Sequence, residues 1–275
     1  MKKTLASLFV RQIAIPQDHG SWVFLLSPLL IGLFAGRTFG WPSALTTLAA
    51  LLAFLLRQPV TVAVKALSGR RPPSDLPAAW FWIAVYGSGL AALVTALSLA
   101  GGWYLLLLAV PAVPVFAWHL LLVSRRKERK QAGVEILATG VLALAAPAAL
   151  WAGRGDYDPL GWTLWLLTWL QSAASIVHAY LRLEQRSLAA IAPRAERWKM
   201  GRRALLYTSF NLGAALLAAC RGWLPPLIFL PYLLQWLETL WGIEHPALGW
   251  KPTRIGLRQL LVSTAFTLLF ILVWR

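Results

Sequence analysis

Acidic side chains and cysteine are almost missing from this chain. Its 275 residues include ten Asp and Glu together and one Cys. The lone Cys220 excludes an intramolecular disulfide and any metal site built from several cysteines, and it reads as a small packing residue. Charged residues make up only 13%, against 59% hydrophobic, and mean hydropathy is +0.63. A water-soluble domain of this length is not built from such a composition. No P-loop, GxSxG, HExxH or Cys cluster occurs, so the sequence assigns neither a metal nor a cofactor. A clear cleavable signal is also missing: Lys2 and Lys3 precede a short stretch holding Arg11 and Gln12, with no small-residue cleavage site.

What fills the chain is long apolar runs. Nine can be drawn, near 20–36, 40–56, 79–100, 103–123, 133–153, 160–181, 203–220, 223–241 and 257–274. Crossing a bilayer core takes about 20 apolar residues as helix, and a helix satisfies its own backbone amides in lipid. The expectation is an all-α polytopic membrane bundle of nine spans, a single domain over 1–275 with the bundle in 20–275. Residues 4–15 put Leu5, Leu8, Phe9, Gln12 and Ile13 at helical spacing, which predicts a short helix on the membrane surface. Pro16 ends it.

Charge gives the orientation. Of 26 Lys and Arg, 22 lie at the N-terminus or in or beside every second gap between the runs. The exceptions are Arg37, Arg154, Arg221 and Arg275. This alternation is the positive-inside bias, and it predicts a plasma-membrane protein with its N-terminus in the cytoplasm and its C-terminus outside. The net charge of +16 is confined to loops on one side, which argues against a nucleic-acid partner. It suits anionic membrane lipid, which favours a basic residue by about 1 kcal/mol near the surface. Gly-Trp pairs at 40–41, 102–103, 161–162 and 222–223 open the even-numbered spans on the opposite side. Gly permits a tight reversal and Trp favours the interface. A fifth pair, Gly249-Trp250, falls out of this register.

Polar residues cluster at the basic ends. Arg57, Thr61 and Lys65 are spaced four apart after span 2, and His178, Arg182 and Arg186 repeat that spacing after span 6. Two readings stand for these stripes. Either they are anchors facing lipid or water, or they converge on a phosphate or carboxylate, which Arg forks suit. Arg125 and Tyr180 are further binding candidates for such a site. Pro16-Gln17-Asp18-His19-Gly20-Ser21-Trp22 opens span 1, with Asp18 as an N-cap candidate. His19 either sits among headgroups or serves as a proton donor or a ligand, and His178 is the other acid–base candidate. Glu135, one turn into span 5, needs a partner inside the membrane, with Arg125 or Lys127 nearest in sequence. Asn211, Gln171, Gln235 and Glu238 read as contacts between helices. Pro111, Pro114 and Pro147, and Pro225, Pro226 and Pro231, fall inside the drawn spans and loosen turns there.

The nine-span layout, with functional loops after spans 2 and 6, resembles the UbiA superfamily of intramembrane prenyltransferases. That resemblance implies a cavity opening sideways into lipid and a prenyl diphosphate held through magnesium by Asp-rich motifs. This chain departs from the pattern at both motifs. Arg57, Thr61 and Lys65 stand at the first, and His178, Arg182, Glu184 and Arg186 at the second. One glutamate does not replace several hard oxygen ligands, so no metal-binding or catalytic carboxylate carries over. Pro16, His19, Gly20 and Trp22, with Arg57 and Pro59 after span 2, resemble the YwiC-like family of bacterial membrane proteins. That resemblance implies a fold and no reaction. Two functions follow as expectations. One is a divergent lipid-modifying or prenyltransferase-like protein that holds an isoprenoid phosphate or other anionic amphiphile with Arg57, Lys65, Arg182 and Arg186 instead of magnesium. The other is a non-catalytic carrier of lipid or anion, or an assembly factor for a membrane complex.

Overall fold

A computed structural model describes residues 8–17, 19–127 and 131–274. Asp18 lies outside the described residues, as do residues 1–7, which include 4–7 of the expected surface helix, and the side chain of His19. Among the described residues the chain is helical, with no strand. The helices are α1 (Arg11–Ala14), α2 (His19–Gly36), α3 (Trp41–Leu67), α4 (Leu76–Leu97), α5 (Ala109–Ser124), α6 (Ala132–Ala143), α7 (Ala145–Arg154), α8 (Leu160–Arg186), α9 (Arg194–Cys220), α10 (Phe229–Glu244) and α11 (Pro252–Val273). Six described stretches are long and apolar enough to cross a membrane, and the shorter Gly20–Gly36 is apolar as well.

The apolar stretch from Pro73 to Ser124 is not one rod. It turns at Gly101, whose φ of 94° suits glycine. A 3-10 segment, Trp103–Leu108, then leads into α5. Arg70 donates to the carbonyl of Val123, which brings the far end of α5 back beside the start of α4. The stretch is therefore a hairpin of two arms, both packed on α3. Of the four Gly-Trp pairs, Gly222 takes a positive φ of 70°. Trp41, Trp103 and Trp223 stand exposed, as side chains at a bilayer interface do.

Proline accounts for two differences from the expected spans. The run 133–153 is broken at Leu144 into α6 and α7. Pro147 offers no N–H to the carbonyl of Ala143 and crowds it, so the turn before it opens. The run expected at 223–241 begins its helix only at Phe229, because Pro225 and Pro226 sit in the preceding turn. By contrast, α3 continues through Pro59 to Leu67, which keeps Arg57, Thr61 and Lys65 on a single helix.

Helix α8 lies at the centre and packs against α2, α6, α7, α9, α10 and α11. Its neighbour α7 is buried along almost its whole length. Helices α2 and α7 approach at backbone distance: a Cβ on Gly32 would stand 2.2 Å from the carbonyl oxygen of Ala146. Small residues allow such contacts where lipid supplies no hydrophobic drive between helices. Helices α2 and α7 both touch α3 as well as α8, so they lie between spans 2 and 6. The segment at α1 docks on the bundle. Ile13 is buried with Val62, Ala63, Ala78 and Ala79, and Gln58 donates to the carbonyl of Gln12 at 2.8 Å.

Candidate functional site

The two basic stripes do not meet. Arg57 ends up beside the first turn of α2, where Nη2 donates to Ser21 Oγ at 3.3 Å and the guanidinium lies 5.2 Å from the Phe54 ring centroid. Arg182 is 2% exposed and belongs to a different cluster. Its Nη1 donates to the carbonyls of Gly242 and His245, both at 2.7 Å, and to Gln185 Oε1 at 2.8 Å. These carbonyls close the C-terminal end of α10, where intrahelical donors have run out and the helix dipole favours a cation. Arg182 therefore caps a neighbouring helix. The joint clamp of Arg57 with Arg182 expected from the sequence is corrected on this point: α2 and α7 intervene, and Arg182 Nη1 is occupied by backbone carbonyls.

The other stripe residues also have partners within the fold. Thr61 Oγ1 donates to the carbonyl of Arg57 at 2.8 Å. Lys65 is half-buried in the last turn of α3. Arg186 Nε donates to the carbonyl of Trp250 at 3.0 Å, tying the end of α8 to the loop before α11. Arg125 is exposed just past the end of α5. Tyr180 donates from its hydroxyl to Glu135 Oε1 at 2.7 Å. That bond joins α6 to α8 and gives Glu135 a partner the sequence reading did not name.

Around Arg182 a stack of guanidinium groups and indoles forms. Arg182 lies 5.4 Å from the Trp241 centroid and 5.0 Å from that of Trp250. Arg258 lies 3.5 Å from Trp241, and Arg254 lies 4.0 Å from Trp250. Three arginines are tolerated side by side because indole faces, backbone carbonyls and one carboxylate share their charge. The carboxylate is Glu238, which accepts from Arg258 Nε at 2.5 Å and Nη2 at 2.8 Å. Sequence reasoning missed this cluster. Its signals were Arg254 and Arg258 four apart, and Gly249-Trp250, the pair that breaks the register of the other four.

His178 lines a small polar cavity of about 20 Å³ between α8, α10 and α11, together with Ser175, Gln235, Glu238 and Gln259. Its Nε2 is 3.9 Å from Glu238 Oε1. Gln235 Nε2 donates to the carbonyl of Gln171 and to Ser175 Oγ, both at 3.0 Å. Asn211 Nδ2 donates to the carbonyl of Leu170 at 2.8 Å. The intramembrane amides thus link helices, as their positions in the sequence suggest.

A second cavity, about 470 Å³, lies among α2, α3, α4, α5, α6 and α7. Its size is that of a small-molecule site. On α3 the lining residues Thr46, Ala49, Ala50, Ala53, Phe54 and Arg57 form one helical stripe. The run of alanines leaves the space. Across from it stand Leu25, Val94, Leu105 and Ala145. Leu106 and Val113 line the cavity while remaining exposed, so it opens sideways. Among the described lining residues Arg57 alone is ionisable. No group of three or more His, Cys, Asp or Glu able to hold a metal occurs among the described residues.

Residues 15–150 match the family model described as YwiC-like protein. The Uncharacterized protein YwiC of Bacillus subtilis (strain 168) is 28% identical over 211 residues, which covers 74% of this chain and 81% of that one. No solved structure matches. The matched region takes in every residue lining the larger cavity, while the arginine–indole stack lies beyond it. Over residues 15–150, this chain is similar to the YwiC-like family.

Proposed function

We propose that this protein is an intramembrane binding protein for an amphiphile with an anionic head and an apolar tail. The tail lies in the cavity along α3 and the head meets Arg57. The observation that carries this reading is the makeup of the cavity wall, apolar throughout its middle with one guanidinium at its end. Arg57 stands against the first turn of α2, through Ser21. A helix N-terminus favours an anion, and an Arg fork suits a carboxylate or phosphate. A fatty acid and an isoprenoid phosphate both have this chemistry. Binding, not turnover, is what the described lining residues support. Acid–base work needs a titratable group near the ligand, and His178 lines the other cavity.

The test is the lipid that purifies with the protein. Mass spectra of wild-type protein should show an anionic amphiphile, and its headgroup tells carboxylate from phosphate. Arg57→Gln should lose most of it. Ala53→Phe, which fills the cavity without changing charge, should lose it too while keeping the melting temperature. Lipid content unchanged in both variants would overturn the reading.

A further inference from the structure

The larger cavity has a second polar end. Thr46 lines it and is 3% exposed, and its hydroxyl has no hydrogen-bond partner among the described residues. This sets it apart from other threonines of the bundle. Thr61, Thr168, Thr208 and Thr239 each donate to the carbonyl four residues earlier, at 2.8 to 3.1 Å. Leaving a buried hydroxyl unpaired is unfavourable, and back-bonding to the preceding turn is the ordinary remedy in an apolar setting. Thr46 has not taken it.

Its position is informative. Thr46 and Arg57 are eleven residues apart on α3, close to three full turns, so both belong to the same stripe. At the rise of an α-helix they stand about 16 Å apart along the axis. Ser98, at the end of α4, lines the cavity too and adds a second hydroxyl residue to its wall. Between Thr46 and Arg57 the α3 stripe is alanine and phenylalanine. The cavity wall is thus polar at both ends and apolar in between.

Resting on the amphiphile reading above, we propose that the ligand of this cavity is bifunctional. Beyond the anionic head at Arg57, it carries a neutral hydrogen-bonding group, a hydroxyl or carbonyl, toward the far end of its chain, and Thr46 receives that group. The site then measures chain length, since the two polar groups must reach both ends together.

The experiment compares plain fatty acids with their ω-hydroxy counterparts over a series of chain lengths, bound to delipidated protein in detergent. Wild type should favour the ω-hydroxy acid by about three- to tenfold at one matched length and show no preference at shorter ones. Thr46→Val should abolish that preference, and Thr46→Ser should keep it. The valine variant also controls for any difference in partition into detergent. Arg57→Gln should weaken both acids alike. Equal affinity of wild type for both acids at every length, or a preference surviving in Thr46→Val, overturns this inference alone. Failure of both acids to bind wild type overturns it together with the amphiphile reading.

Discussion

Arg258 on α11 holds Glu238 on α10 through both carboxylate oxygens, at 2.5 and 2.8 Å, while its guanidinium lies on the face of Trp241 at 3.5 Å. Glu238 is 12% exposed and Arg258 34%. The pair is therefore withdrawn from water without being sealed from it. Removing one partner of such a pair leaves the other charge uncompensated, which is costlier than removing both.

Glu238→Gln should accordingly destabilise the protein by about 3 kcal/mol. Combining Glu238→Gln with Arg258→Leu should recover part of that loss. Thermal unfolding in detergent, followed by tryptophan fluorescence, measures both. A double variant no more stable than the single one would show that the stack on Trp241, and not the ion pair, is what Arg258 contributes.

Arg182→Lys should not be a conservative change. A lysine ammonium keeps the charge but loses the planar fork and its stacking on two indoles. The carbonyls of Gly242 and His245 would lose at least one donor. A loss of about 2 kcal/mol is expected, with bound lipid unaffected because Arg182 is remote from the larger cavity. Lipid loss in Arg182→Lys, at unchanged stability, would restore the joint clamp with Arg57.

Two glycines offer opposite outcomes from one substitution. Gly32→Ala puts a methyl 2.2 Å from the Ala146 carbonyl oxygen and forces α2 away from α7. Gly87 lies in α4, where a methyl group would meet nothing within 4 Å. There alanine should stabilise by up to about 1 kcal/mol through helix propensity alone. Melting temperatures of the two variants should move in opposite directions.

Glu244, past the end of the eighth apolar run, gives a pH dependence. The indole N–H of Trp198 donates to its Oε1 at 2.8 Å, and Arg194 and Arg197 lie beside it. The Trp198 hydrogen bond foremost, then these cations, holds its carboxyl below the usual range despite an opposing effect of desolvation. A carboxyl lowered in the folded state stabilises above its unfolded value, about 4.3 for glutamate, and loses that contribution as pH falls through the folded value. The difference in melting temperature between wild type and Glu244→Gln should be constant near neutral pH and shrink under acid. A difference that grows under acid would mean that the shift has the other sign.

The spans were legible in the sequence because hydropathy and the alternation of basic gaps are properties of contiguous segments. The exposure of Trp41, Trp103 and Trp223 likewise follows from local pattern. What the sequence hid is partnership. Arg182 and Arg57 share residue type, spacing and position just past an apolar run. Only the packing order, with α2 and α7 between them, separates a helix cap from a cavity residue. The lining of the cavity was hidden for a similar reason. Ala49, Ala50 and Ala53 read as ordinary apolar residues, and the space they leave exists only relative to α4, α5 and α7. Trp250 stood out as an irregularity, and its place between Arg182 and Arg254 gives that irregularity a cause.

The stacked arginines and indoles have a mechanical consequence. They bolt the basic ends of α8, α10 and α11 into one rigid block, reinforced by Arg186 reaching the Trp250 carbonyl. The arm carrying Leu106 and Val113 is held differently, by packing on α3 and by Arg70, which donates to the carbonyl of Val123.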